Sequence, residues 1–307
     1  NLAFKKSADV LNIKRQLPVI QPYNSAGEFN FLRGVGLTLA KNNLELSLFS
    51  SFRKLDANLI NEPTLLNSNQ VSSFLTSGYH RTKTEQINRQ IQHQQVFGGN
   101  AAVNFNKLHI GVNAALITLS VPLKKTERLY NLYAPAGKQF NNYSIDYSYT
   151  HKNWHFFGET ALSWHKHLAT VNGILLSVDS KADLGILYRN ISPGYYAFYG
   201  NAFTEQATVS NEQGLYAGIS IRPVNSWRID AYFDYYKFPW LKYQVNKPVQ
   251  GIDYLVQATY KPDKKLEIYI RYKTASTNAN EVSEENILTP VSKKMIQSIR
   301  ANLTCKL

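Results

Sequence analysis

Long hydrophobic runs are missing from this 307-residue chain. Apolar stretches such as Gly173-Ile174-Leu175-Leu176 fall far short of the ~18 residues that a membrane-crossing helix requires. A helical membrane protein is therefore excluded, although a membrane barrel is not, because its strands hide their hydrophobicity by alternation. Cysteine is almost absent. The single Cys305 excludes an internal disulfide framework. The opening residues Asn1-Leu2-Ala3-Phe4-Lys5-Lys6 lack a basic start followed by an apolar core, so the sequence is expected to be mature or a fragment. Catalytic signatures are missing as well. There is no Gly-x-Ser-x-Gly, no His-Glu-x-x-His and no phosphate-cradling glycine loop, and the expectation is a protein that is not an enzyme and needs no cofactor. Acidic residues are the minority charge, 21 against 34 basic, for a net +13. Such a balance fits a solvated basic surface or contact with phosphate in lipopolysaccharide, headgroups or nucleic acid.

The chain does have aromatics, 20 Tyr and 15 Phe, residue types that suit pleated, half-exposed surfaces. It also has alternation with a period of two. Trp227, Ile229, Ala231, Phe233 and Tyr235 share one face, and Arg228, Asp230, Tyr232, Asp234 and Tyr236 the other. Leu266, Ile268, Ile270 and Tyr272 oppose Glu267, Tyr269, Arg271 and Lys273. Ile252, Tyr254, Val256, Ala258 and Tyr260 oppose Asp253, Gln257 and Thr259. The same rhythm runs through the segments starting at Leu44, Leu108, Tyr143 and Leu215. Strands of roughly 9–13 residues cross a bilayer when tilted.

Short and long connections alternate. Short turns are expected near residues 41–43, 106–107, 151–153, 179–180, 223–225 and 262–264, all rich in Asn, Asp, Pro or Lys. Long loops are expected at about 54–71, 121–139, 191–212, 239–250 and 275–291, with one short link at 165–168 where a long one is due. This sorting is what an outer-membrane barrel shows, with turns toward the periplasm and loops outside. Trp154, Trp164, Trp227 and Trp240 fall near strand ends, as an aromatic girdle would. Residues 72–93 carry no clear period, and Glu85 to Gln92 reads as a short helix or an excursion.

Together these features imply an all-β fold, an antiparallel up-and-down transmembrane β-barrel of about 14 or more strands when complete. Residues 1–27 form an extended lead-in or preceding loop and 28–307 the barrel. Counting gives about 13 strands from residue 28, and both ends look unfinished. The expected location is the outer membrane of a Gram-negative cell.

Several segments resemble a barrel family of Bacteroidota whose members are labelled helix-hairpin-helix domain-containing, or competence-protein-like. They are residues 2–15, Phe31-Leu32-Arg33-Gly34, Phe52 to Asn58, Ser77 to Thr82, Leu187 to Asn190, Tyr199 to Phe203 and Lys237 to Tyr243. The match runs in order over most of the chain. It implies a piece of a barrel, with a small helical domain of DNA-binding type preceding it and further strands flanking it. A role in DNA uptake would rest on that helical domain, so nucleic acid is not expected as a partner of this segment alone.

The in-between residues form a mixed-charge set that lines a pore or makes lumenal ion pairs: Arg53, Glu159, Arg189, Arg222, Arg228, Asp230, Asp234, Glu267, Arg271 and Arg300. His165 and His167, with His155, lack the further ligands a metal site needs, so no metal is expected. Ser144, His155 and Glu159 neighbour one another without a motif. Lys124, Lys125, Arg128 and Lys138 in one outer loop, and Arg81, Lys83 and Arg89 in another, suit lipopolysaccharide phosphates. Three functions remain open: a channel or transport barrel for an unidentified solute, a membrane anchor or subunit of a larger outer-membrane assembly, and a component of DNA uptake.

Overall fold

The computed structural model describes residues 6–14, 18–23, 29, 31–61, 69–280 and 290–305. Fifteen strands build one sheet: β1 Gly34–Lys41, β2 Leu44–Leu55, β3 Ala57–Asn61, β4 Asn69–Phe74, β5 Gln92–Phe105, β6 Leu108–Leu123, β7 Gly137–His151, β8 Trp154–Ser163, β9 His167–Asp179, β10 Ala182–Ile191, β11 Glu212–Ile221, β12 Trp227–Phe238, β13 Val249–Tyr260, β14 Leu266–Asn280 and β15 Val291–Cys305. Thirteen of them follow one another as antiparallel neighbours in the order β1-β2-β5 and onward to β15. The hairpin β3–β4 stands off this path and touches β6 at Val71 and Leu123. The fold is the wall of an up-and-down β-barrel. Among the described residues β1 and β15 each have one neighbour.

The alternation of the sequence is the alternation of the faces. Register pairs Asp234 with Tyr216 and Asp253, and Phe233 with Ala217 and Tyr254, so polar meets polar and apolar meets apolar across three strands. Phe233 is 49% exposed and Ile270 59%, whereas Asp234 is fully buried. Leu46, Val112, Ile145, Ile186, Leu215, Val256 and Leu303 are exposed in the same way. The sheet therefore buries its charged face and shows its greasy one, the reverse of a water-soluble sandwich.

Six short hairpins lie at one end, and only the three-residue β8–β9 link is short at the other. The β1–β2, β5–β6, β7–β8 and β9–β10 links leave two residues each between strands, and the β11–β12 and β13–β14 links leave five. Asn42, Asn106 and Lys152 take left-handed backbone there, which asparagine tolerates well and lysine less so. The longer connections share the opposite end. Several strands extend further into them than the sequence implied, among them β2 to Leu55, β6 to Leu123 and β14 to Asn280. The cause is continued ladder pairing. Ala279 still meets Ser292 and Asn280 meets Val291 beyond the last apolar alternation. The ambiguous stretch 72–93 holds the end of β4, a helix α1 (Lys83–Ile87) and the start of β5. Thr82 and Glu85 close a reciprocal capping box on that helix, which lets a five-residue polar segment form one turn. The N–H of Arg81 and that of Thr82, on Glu85, hold its carboxyl below the usual range.

Candidate functional site

The interior of the curved wall is filled rather than empty, by two segments without strand structure. One is residues 6–14, drawn from the expected lead-in. The other is the loop 192–211 between β10 and β11.

Residues 6–14 lie against the inner faces of β8 to β13. Val10 and Ile13 are essentially unexposed and pack with Phe157, Leu187, Phe203, Tyr216, Tyr232 and Leu255. Glycines on the wall make the space. Gly185 and Gly218 face each other across β10 and β11. A Cβ on Gly218 would sit 2.6 Å from the Val10 carbonyl oxygen, and one on Gly185 would press on Ile13 at 3.1 Å. The Tyr216 hydroxyl donates to that same Val10 carbonyl at 2.8 Å. At one end Lys14 Nζ donates to His155 Nε2 at 2.8 Å, and burial lowers the lysine ammonium from its ordinary range. At the other end Lys6 Nζ lies 2.5 Å from Glu205, 3.0 Å from Asp234 and 2.9 Å from Asp253. Burial alone would lower this ammonium, but Asp234, Glu205 and Asp253 together raise it. Burying Val10 and Ile13 yields roughly 1.5–3 kcal/mol apiece. Ordering nine residues costs ~1–2 kcal/mol each. The apolar contacts alone do not hold the segment, so its polar anchors decide whether it stays.

A buried ion network lies under Lys6. Arg189 donates from Nη1 and Nη2 to Asp234 at 2.8 and 3.0 Å, and from Nε to Glu212 at 2.6 Å. All three side chains are fully buried. Glu212 also accepts the backbone N–H groups of Glu205 and Gln206, which pins the loop 192–211 to the wall. Gly214 is a requirement of this network: a Cβ there would stand 2.5 Å from the Arg189 guanidinium carbon. Tyr232 donates to Asp253 at 3.1 Å.

The loop 192–211 turns inward toward β2, β5 and β7. The Tyr199 hydroxyl donates to Gln94, Phe198 packs on Phe74 and Phe140, and Asn142 donates to the Tyr196 carbonyl at 2.9 Å. Burial, with Glu159 nearby, pushes the Tyr195 hydroxyl up to about 12. Above it the long connections meet across the mouth. Trp240 Nε1 donates to the Leu129 carbonyl at 3.0 Å and its ring lies 5.0 Å from Tyr133, while Tyr130 meets Tyr243.

The structure places the residues expected in the lumen in different settings. Arg189 and Asp234 belong to the buried network. Asp230 is buried and accepts from Arg228 at 2.9 Å, while Arg228 also stands 3.8 Å from Asp9. Arg222 pairs with Asp183 at 3.1 Å, and Glu267 with Lys261 at 2.8 Å. Glu159 lies on the inner face of β8, opposite Asp146 and near Tyr195. Among the described residues Arg53 meets no acid; it donates to the carbonyls of Phe29 and Phe31 and its guanidinium stacks on the Phe31 ring. Arg271 donates to Gln257 at 2.7 Å. Arg300 stands directly across the ladder from Arg271 and has no ion pair among the described residues. Arg53, Arg271 and Arg300 thus have no carboxylate partner among the described residues, and of the two expected roles, lining or ion pairing, no ion pair is seen at these three.

The expected girdle divides too. Trp154 and Trp227 are exposed at the short-turn end, with Trp227 against Tyr260. Trp164 instead packs on the buried Phe140, and Trp240 caps the mouth, so neither forms a lipid-facing ring. Trp164 directly follows β8 and Trp240 follows β12 by two residues, both at the long-connection end. His165 stacks on Trp164, His167 meets Tyr133, and His155 engages Thr150 and Lys14, so the three histidines face different partners.

Lys6, Glu205, Glu212 and Asp253 were not singled out from the sequence. Asp253 was legible from alternation. The other three lie in aperiodic segments or at the first position of a strand, where no period marks them.

No family model matches the chain, and no curated protein matches it. Solved structures do. A structure described as KdgM porin shares 12% identity, covering 60% of this chain and 88% of that one, with a TM-score of 0.26. A Pseudomonas aeruginosa FadL homologue shares 8% over 87% of this chain and 75% of its own, TM-score 0.35. Outer-membrane expressed OmpT of Vibrio cholerae shares 9% over 91% and 66%, TM-score 0.27. At such low scores these likenesses stand beside the geometry of the chain and do not add weight to it.

Proposed function

We propose that the chain is the wall of an outer-membrane β-barrel and that its interior is the path of a solute, closed in the described state. The observation that carries this reading is the inverted distribution of polarity, with exposed Phe233, Ile270 and Leu215 outside and buried Asp230, Asp234 and Arg189 within. Lipid, not water, is the solvent in which that distribution is stable. The loops carrying Arg81, Lys83 and Arg89, and Lys124, Lys125 and Arg128, share the long-connection end, where lipopolysaccharide phosphates would meet them. The test is conductance of the purified chain in planar bilayers, with and without residues 6–14. Discrete conductance that rises when those residues are removed supports a path; a silent bilayer in both cases sinks it.

The filled interior supports a second reading, an anchor or subunit of a larger outer-membrane assembly that passes nothing. A native pull-down retaining stoichiometric partners, with no conductance, would favour it. A place in DNA uptake would follow only from the resemblance to the helix-hairpin-helix barrels and would need that helical domain.

A further inference from the structure

We propose that the pocket around Lys6 is a seat for a primary alkylammonium group, that residues 6–14 occupy it as an internal stand-in, and that a small diamine displaces them. This deepens the reading of the interior as a solute path, and it names the chemistry of the solute.

The seat already holds an ammonium. Lys6 is 8% exposed at its side chain and touches three carboxylates from three different elements, the loop 192–211, β12 and β13. An aromatic face completes it: the Tyr236 ring lies 5.0 Å from Lys6 Nζ. That ring has room to lie against β13 only because residue 251 is glycine; a Cβ there would come within 2.4 Å of a ring atom. Carboxylates plus a ring face make up the recognition set for an alkylammonium.

Charge explains why the seat does not stay empty. Without Lys6, four carboxylates (Glu205, Glu212, Asp234 and Asp253) face three cations, Arg189, the more distant Lys273 at 3.6 Å from Asp253, and Lys242, which feels Glu212 and Glu205. Buried carboxylates short of partners are costly, so another cation is favoured in the place that Lys6 leaves.

The occupant is built to leave. Among the described residues its backbone-to-backbone hydrogen bonds run within itself, Asn12 to Asp9 and Ile13 to Leu11. To the wall it is held by side chains, and no ladder must be broken to release it. A polar recess of about 440 Å³ opens beside Ala8 and Asp9 at the short-turn end, lined by Arg222, Arg228, Gln257 and Lys261 among others.

The experiment uses the whole chain in nanodiscs with Cys305→Ser and Val10→Cys. Val10 is fully buried, so maleimide reaches position 10 only when the segment lifts. Putrescine at millimolar concentration is expected to speed labelling at least tenfold over sodium chloride of equal ionic strength and over 1,4-butanediol. In parallel, Lys6→Met protein is expected to bind putrescine saturably by calorimetry, and Lys6→Met with Asp253→Asn to bind it at least tenfold more weakly. Labelling no faster in putrescine than in matched salt overturns the proposal, and this arm keeps Lys6 intact should the Lys6 variants fail to fold. Displacement by diamine in a barrel that never conducts would leave the seat standing and remove the solute path. Conductance with no diamine effect would do the opposite.

Discussion

Replacing Arg189 by methionine should be the most damaging single change on the inner wall. The side chain volume is roughly kept, but Glu212 and Asp234 remain buried without their main cation. Breaking a buried pair from one side costs about 3–5 kcal/mol. Here the remaining contacts set the lower end of that range. Glu212 keeps the backbone N–H of Glu205 at 2.9 Å, and Asp234 keeps Lys6 at 3.0 Å. The expected loss is therefore about 3 kcal/mol, on the order of a hundredfold in the folding equilibrium. Urea unfolding of the barrel in lipid vesicles, followed by tryptophan fluorescence, measures it. Adding Glu212→Gln and Asp234→Asn to Arg189→Met should recover most of the loss, because no unpaired charge remains. A single variant that loses under 1 kcal/mol, or a triple variant no better than the single, would refute the network's role.

Gly214→Ala should act through the same network, since its Cβ would displace the Arg189 guanidinium; a loss of about 2 kcal/mol in the same assay is expected, with none at the half-buried, outward-facing Ala217 changed to glycine beyond strand propensity. Phe233→Arg should cost about 2–4 kcal/mol in bilayers of matched thickness, and Phe233→Leu under about 1.5 kcal/mol, read as the shift in unfolding midpoint. Tyr216→Phe removes one donor to Val10 and should loosen residues 6–14 by about 0.5–1.5 kcal/mol, visible as faster amide exchange there and unchanged exchange in β11. Glu85 should give α1 an acid-sensitive end. Its folded carboxyl is held below the ordinary 4.5, so the contribution is full above that value and fades as pH falls through the depressed one, measurable as loss of Arg81 amide protection.

Much of the wall was legible because a sheet with one face in lipid must alternate. Ile229, Phe233 and Ile268 could only lie together, and Asp230 and Asp234 only opposite them. The hairpin turns were legible for a similar local reason, since Asn42 and Asn106 suit left-handed backbone. The filling was not. Residues 6–14 and 192–211 have no period because they answer to no lattice; each side chain meets a different wall. Lys6 becomes an anchor only through Glu205, Asp234 and Asp253, roughly 200 to 250 positions away in the chain. The arginines divide for the same reason. Arg189 and Arg300 both fall at inward positions, yet among the described residues only Arg189 meets acids, and β-strand spacing says nothing about which charge a neighbouring strand supplies.

The membrane assignment is tested most directly by a spin-label scan of residues 229–236 in a Cys305→Ser background, reconstituted in vesicles. Labels at 229, 231, 233 and 235 should collide with dissolved oxygen and not with a water-soluble nickel chelate, and those at 230, 232, 234 and 236 should be shielded from oxygen by comparison. Nickel contact at the odd positions, or no two-residue rhythm at all, would mean that Ile229 and Phe233 face something other than lipid.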